Sequence, residues 1–264
     1  MGSKIWRYAH ASVIGSAHLA QNTVCQDRFS CRTIETASGK VLIALIADGA
    51  GSTSDGHNGA ELACRLFTDE IASFLESKNA SIKSLNRDFG KRWILYFQQK
   101  LCAEAQANGK TVRDYASTFL GAVVGEESAA FFQVGDGAIV ISDSGAQESY
   151  HFALAPHESE YVNASDFLTD DAAPERLRFE LIDKEIEDLI LFSDGIFPIA
   201  VNYKTNQPYE PFLLPMIAPL RNGGAISLNE KLESLNEKLE SFLQTAKVNE
   251  RTDDDKTIIL ASRA

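Results

Sequence analysis

Aspartate followed by glycine ends three apolar runs in this chain. Asp48 and Gly49 close "VLIALIADGAGS" (Val41 to Ser52), Asp136 and Gly137 sit in "AAFFQVGDGAIV" (Ala129 to Val140), and Asp194 and Gly195 end "DLILFSDGIF" (Asp188 to Phe197). A fourth acidic cluster, Asp253, Asp254 and Asp255 in "TDDDKTIIL", precedes its apolar run. One Asp-Gly pair marks only a turn. Carboxylates at four strand ends, far apart in sequence, point instead to convergence on one cation site. Hard cations such as Mg2+ and Mn2+ take carboxylate, carbonyl and water oxygens. A catalytic pair needs a bridging carboxylate, further carboxylates for each ion and open water positions. Asp48 suits the bridge, and Gly49 would bring its carbonyl close with no Cβ in the way. Asp194 and Asp254 would complete the site from two other strands, and Asp136 would anchor a neighbouring or third ion.

The elements that must position these residues are legible as periodicity. Strand-like runs cover Ser12–Ile14, Phe29–Ile34 and Val41–Ala47. Helical spacing follows over Asn58–Ser77, with Leu62, Leu66, Ile71, Phe74 and Leu75 on one face, and over Lys91–Ala107. Thr118–Val124, Ala129–Val134 and Ile139–Ser142 read as three strands whose short connections favour an antiparallel meander. Arg178–Ile182 and Leu189–Phe192 read as strands, Ala225–Val248 as a helix and Thr257–Ala261 as a closing strand. Helix pairs between runs of strands predict a layered α+β architecture rather than a doubly wound sheet. No Pro-, Gly- or Ser-rich linker interrupts the chain, so residues 1–264 are expected to form one domain. Within the late helix, "LNEKLES" occurs twice in succession, from Leu228 and from Leu235. Its apolar stripe is expected to dock on its own domain, a dimer seam being the alternative, because two heptads are too few for a coiled coil. A monomer is the expectation.

The net charge of −12 argues against nucleic-acid or anionic-membrane partners. No apolar run approaches the roughly 18 residues of a membrane span, the N-terminus lacks a signal-peptide core, and Trp6 stands where a myristoylation motif needs Ser or Thr. The expected location is cytoplasmic. Cys25, Cys31, Cys64 and Cys102 form no CxxC pair and are expected to be reduced thiols, with a nucleophilic role for Cys25 as the alternative.

Seven segments in order, "IGSAHLAQNTVCQDRF", "IADGAGS", "STFLGAVV", "VGDGAIV", "ESEYVNASDFLT", "LFSDGI" and "RTDDDKTIIL", resemble the metal-dependent serine/threonine protein phosphatases of type 2C, in particular a bacterial branch with "CQD" in its early motif. The resemblance implies a four-layer α-β-β-α sandwich, two antiparallel sheets flanked by helix pairs. It also implies a cleft at the strand ends holding two or three Mn2+ or Mg2+ ions, and hydrolysis of phosphoserine and phosphothreonine through a metal-bridging water. Position by position, Asp48 matches the bridging ligand, Gly49 the carbonyl ligand, and Asp194 and Asp254 the remaining carboxylates of the first metal, with Asp255 the alternative one residue on. Asp136 matches the aspartate of a third, weaker ion, and Asp27 the acid that holds metal-bound waters. Gln26 stands where many members carry a metal-contacting Glu.

Two departures bear on catalysis. The phosphate-gripping arginine of many relatives is replaced by Asn22, so His18, which matches a histidine of the "CQD" branch, is the expected substitute. The histidine that follows the bridging aspartate in some relatives is Ala50, with His57 close in sequence. The resulting expectation is a phosphoprotein phosphatase, opposing a protein kinase in signalling, with 156–169 in the position of a variable flap that shapes partner choice. The alternative is a catalytically weak pseudophosphatase acting as a phospho-dependent scaffold. An unrelated metal hydrolase would need a histidine-rich ligand set, which five histidines without an HxxxD-like array do not supply.

Overall fold

The computed structural model describes residues 5–77, 80–143, 149–155, 166–221 and 228–263. Strand β3 (Gly39–Ala47) shows why its apolar run is continuous. Its residues alternate between two cores: Leu42, Ala44 and Ile46 face a second sheet, whereas Ile43, Leu45 and Ala47 face helices. A strand in the inner layers of a sandwich is buried on both faces, so alternation of polarity disappears even though every neighbour is antiparallel.

Two five-stranded antiparallel sheets carry the fold. One has the order β2 (Arg28–Thr36), β3, β4 (Phe119–Val124), β5 (Ala129–Val134), β8 (Arg178–Ile182). The other runs β1 (Trp6–Val13), β12 (Lys256–Arg263), β9 (Ile186–Phe192), β6 (Ala138–Asp143), β7 (His151–Phe152). Between the sheets lie Leu120, Ala122, Phe131, Ile139, Leu189, Leu191 and Ile259. Helices α2 (Gly56–Glu76) and α3 (Arg87–Ala107) cover the first sheet through Phe67, Ile71, Trp93 and Phe97. On the second sheet, α6 (Glu210–Arg221) and α7 (Leu228–Leu243) pack through Leu213, Ile217, Leu239 and Leu243. This is the expected four-layer α-β-β-α sandwich, and the repeated-heptad helix docks on its own domain, chiefly against β1. Among the described residues, no helix is long and apolar enough to cross a membrane.

Several local expectations need correction. The strands from β4 to β6 are not one meander: β4 and β5 pair, but β6 leaves for the other sheet and pairs with β9. The Gly135-Asp136-Gly137 corner makes that switch, with φ of +85° and +97° at its two glycines, values that residues with a Cβ rarely adopt. The late helix stops at Leu243. Thr245 is extended, its hydroxyl donates to the Phe242 carbonyl at 2.8 Å, and the short α8 (Ala246–Asn249) restarts after it. Residues 225–227 of that expected helix lie outside the described residues. Helix α6 was not expected, since Pro215 and Pro219 are breakers; burial of Leu213, Ile217 and Leu220 offsets the backbone hydrogen bonds they delete. The short α1 (Ser16–Ala20), α4 (Ala173–Arg176) and α5 (Phe197–Ala200) were also unforeseen, as was a small two-stranded ribbon of β10 (Val201–Asn202) and β11 (Gln207–Pro208).

Candidate metal centre and active-site cleft

At one end of the sandwich, β3 and β9 finish, the inter-sheet corner turns and β12 begins. Asp48, Asp136, Asp194 and Asp254 therefore meet along one cleft of about 390 Å³, whose walls also include His18 and Gly49. Asp253 joins them, a carboxylate not singled out from the sequence.

Each aspartate is held by backbone architecture. The Asp48 N–H donates to the Thr118 hydroxyl at 3.1 Å, and the Thr118 N–H donates to the Asp48 carbonyl at 2.8 Å. Asp194 opens a single 3-10 turn, Asp194–Ile196, pressed against the start of β12. A Cβ on Gly195 would lie 1.9 Å from the Asp255 carbonyl oxygen, so glycine is what lets the Asp194 turn and the Asp254 loop close on each other. Gly49 has a comparable reason, distinct from the carbonyl access expected of it: a Cβ there would meet the Gly56 backbone at 2.3 Å, where α2 begins. Asp27 lies behind the cleft, 2% exposed, and its Oδ2 accepts the Ser193 hydroxyl at 2.7 Å. The Ser193 hydroxyl in turn accepts the Thr257 N–H at 3.0 Å, a supporting role that no sequence signal announced.

The electrostatics are those of a site short of positive charge. Burial pushes the Asp27 carboxyl up to about 6. Asp48 is raised well above the carboxylate range by burial and then by the charges of Asp27, Asp194 and Asp254. Burial, with Asp136 and Asp254 behind it, pushes Asp194 up to about 7, and Asp254 is raised by burial as well. Asp48 lies close enough to Asp27 and Asp194 for carboxyls to hydrogen-bond each other. Among the described residues, no three His, Cys, Asp or Glu side chains are drawn together around one point as a closed ligand set. The donor chemistry nonetheless fits a hard divalent cation: the candidate ligands are oxygens, and Oδ1 of Asp27 and Oδ1 of Asp194 are buried without a hydrogen bond.

Other candidates separate. His18 lines the cleft, with Nδ1 2.9 Å from Asp255 Oδ1, a close approach rather than a well-directed hydrogen bond. Asn22 is an exposed left-handed turn residue with φ of +53°, outside the cleft. Gln26 also does not line the cleft: its Oε1 accepts the His57 N–H at 2.9 Å and so caps the first turn of α2. The His57 ring is half-buried and stands off the cleft walls as well. Of the four cysteines, all are free, and the Cys25 thiol is pushed up to about 12 by burial and then by Asp27 and Asp255. A thiol raised that far carries little of the thiolate form at neutral pH, which argues against a nucleophilic role.

Comparison with known proteins gives this arrangement a family. The profile described as Protein phosphatase 2C matches residues 14–244. The chain belongs to the protein phosphatase 2C family. It is 36% identical over 258 residues to Serine/threonine-protein phosphatase 3 of Escherichia coli (strain K12), covering 97% of this chain and 98% of that one. With that membership it is a metal-dependent protein serine/threonine phosphatase. The fold recurs in the crystal structure of serine/threonine phosphatase Stp1 from Staphylococcus aureus, with TM-score 0.60, 17% identity and coverage of 99% and 96% of the two chains. It recurs also in the catalytic domain of serine threonine protein phosphatase PstP in complex with two manganese ions, with TM-score 0.58, 13% identity and 97% coverage of each chain.

Proposed function

We propose that this protein phosphatase 2C domain hydrolyses phosphoserine and phosphothreonine esters of proteins at the Asp48–Asp194–Asp254 cleft, with two or three Mn2+ or Mg2+ ions as cofactors. The observation that carries the assignment is the gathering of aspartates, with raised carboxyls and unsatisfied buried oxygens, from strand ends distant in sequence. Asp48, Asp194 and Asp254, with the Gly49 carbonyl, are the candidate metal ligands; Asp136 would serve a further ion, and Asp27, behind the cleft, would hold metal-bound water. When bound, divalent cations supply charge for the phosphate oxygens and lower the pKa of coordinated water.

The chain's own residues do the rest. Thr118 fixes the Asp48 backbone, its hydroxyl accepting the Asp48 N–H and its N–H donating to the Asp48 carbonyl, and the Ser193 hydroxyl donates to the Asp27 carboxylate, so the acidic groups are preorganised by neutral partners. His18, on the cleft wall, meets the substrate phosphate in place of the arginine that Asn22 replaces. Hydrolysis forms one P–O bond from water and breaks the bond to the Ser or Thr oxygen, which takes up a proton. No covalent phosphoenzyme is required, in keeping with the high Cys25 pKa.

The scaffold-only alternative is not favoured, because a purely phospho-binding role would not call for this set of buried carboxylates. A phosphoprotein substrate, an opposing kinase, a signalling role, a cytoplasmic location, a monomeric state and the absence of nucleic-acid and membrane partners complete the proposal. Most of the segment expected to shape partner choice, 156–165, lies outside the described residues. The test is phosphopeptide hydrolysis in chelator and after Mn2+ or Mg2+ is restored. Loss and recovery of turnover are expected, and full turnover after thorough chelation would overturn the assignment.

A further inference from the structure

Asp255 adjoins a cleft aspartate but faces the other way. It is 2% exposed, and both carboxylate oxygens accept backbone N–H groups at 2.6 Å, Oδ1 from Gly15 and Oδ2 from Gln26. The same Oδ1 lies 2.9 Å from Nδ1 of His18. A carboxylate shared by two amides and an imidazole has little left to offer a cation in the cleft. It can, however, fix geometry: its two short amide bonds hold the carboxylate against Nδ1, a buried ring nitrogen with no hydrogen-bond partner of its own. The opposite nitrogen of the ring looks outward. A Cβ built on Gly51 would lie 2.9 Å from His18 Nε2, and both residues line the cleft. The helix that bears His18 is tied to the same acidic loop, through the Ala17 N–H to the Asp253 carbonyl at 2.9 Å.

We propose that Asp255 is a positioning residue: it holds the His18 ring with Nδ1 inward and Nε2 toward the cleft, and through Gln26 it locks that ring to the loop carrying Asp27. The phosphate-contacting nitrogen and the acidic wall then keep one relative geometry, set by one buried side chain. The inference rests on the reading that His18 meets the substrate phosphate.

The experiment is steady-state kinetics on the Mn2+-loaded protein with a phosphopeptide, using inorganic phosphate as competitive inhibitor. His18→Ala should raise KM and the phosphate Ki by roughly 10- to 100-fold, the factor of one hydrogen bond to a charged group. Asp255→Asn should raise the same two constants more than it lowers kcat, and leave the Mn2+ concentration for half-activation within about threefold. The double variant of Asp255→Asn with His18→Ala should be no worse than His18→Ala alone, because the first residue acts through the second. Gly51→Ala, at an exposed position, should push on Nε2 and reproduce the effect, again only while His18 is present. If Asp255→Asn does not fold, Asp255→Glu, which keeps the acceptors but displaces them, gives the same readings. Additive losses in the double variant, or a large shift in Mn2+ half-activation with KM and Ki unchanged, would overturn the inference. Parental KM and Ki in His18→Ala would remove the reading of His18, and the inference with it.

Discussion

Replacing Asp194 by Asn should make the metal-free protein more stable, not less. The side chain keeps its volume, but a carboxyl pushed from its ordinary 3.8 up to about 7 is removed. A pKa raised by folding means that the fold prefers the protonated form. Its stabilising contribution is complete below about 3.8 and is lost as pH rises through about 7. The difference of about three units, at roughly 1.4 kcal/mol per unit, sets a ceiling of ~4 kcal/mol lost by the metal-free parent across that window. Asp27 and Asp48 share the same repulsion, so their shifts are not added to it. The asparagine side chain of the variant does not titrate, and its amide must still find partners in the wall, so the expected gain at pH 8 is roughly 2–4 kcal/mol, vanishing toward pH 4. Urea unfolding in EDTA at several pH values reads this directly as a midpoint that depends less on pH than the parent's. Adding Mn2+ should stabilise the parent far more than the variant, since binding to the folded state alone adds RT ln(1 + [L]/Kd). A metal-free Asp194→Asn protein that is no more stable at pH 8, with a pH profile parallel to the parent's, would refute the electrostatic argument.

Asp48→Asn should lower phosphopeptide turnover by orders of magnitude while the fold survives in circular dichroism; near-parental turnover would return Asp48 to a simple turn role. Asp188→Ala should cost about 3–5 kcal/mol in urea unfolding with or without Mn2+, because Asp188 is fully buried and serves Arg221, Tyr150 and Ser142 at once. Leu239→Ala should cost roughly 2–5 kcal/mol with no change in mass by light scattering, whereas dissociation of a dimer into stable monomers would restore the seam. Cys25→Ser should keep turnover, and its abolition would reopen a thiol role.

The acidic strand ends were readable because burial on both faces forces an unbroken apolar run, and an aspartate within a residue or two of its end marks where the strand leaves the sandwich. Val41–Ala47 and Leu189–Phe192 gave Asp48 and Asp194 this way, and their helices declared themselves by spacing. Sheet membership was not readable. A three-residue turn such as Gly135 to Gly137 serves equally for a hairpin or for a corner between sheets, and β6 left the meander that its spacing suggested. Helix α6 was hidden because tertiary burial outweighed two prolines.

The same limit explains Asp254 and Asp255. In an acidic triplet all residues look alike, and only the folded backbone sends Asp254 to the cleft and Asp255 inward to Gly15 and Gln26. Adjacent residues near a strand start point to opposite sides, so one register step separates a candidate ligand from a brace. Gln26 makes the complementary point. From sequence it reads as a ligand changed to a neutral amide, yet its Oε1 is used to cap α2, and its backbone N–H is used by Asp255. A glutamate there could also accept the His57 N–H, but it would add a buried negative charge beside Asp27 and Asp255. The amide keeps the cap without that charge, and adds nothing to the candidate ligand set of Asp48, Asp194 and Asp254.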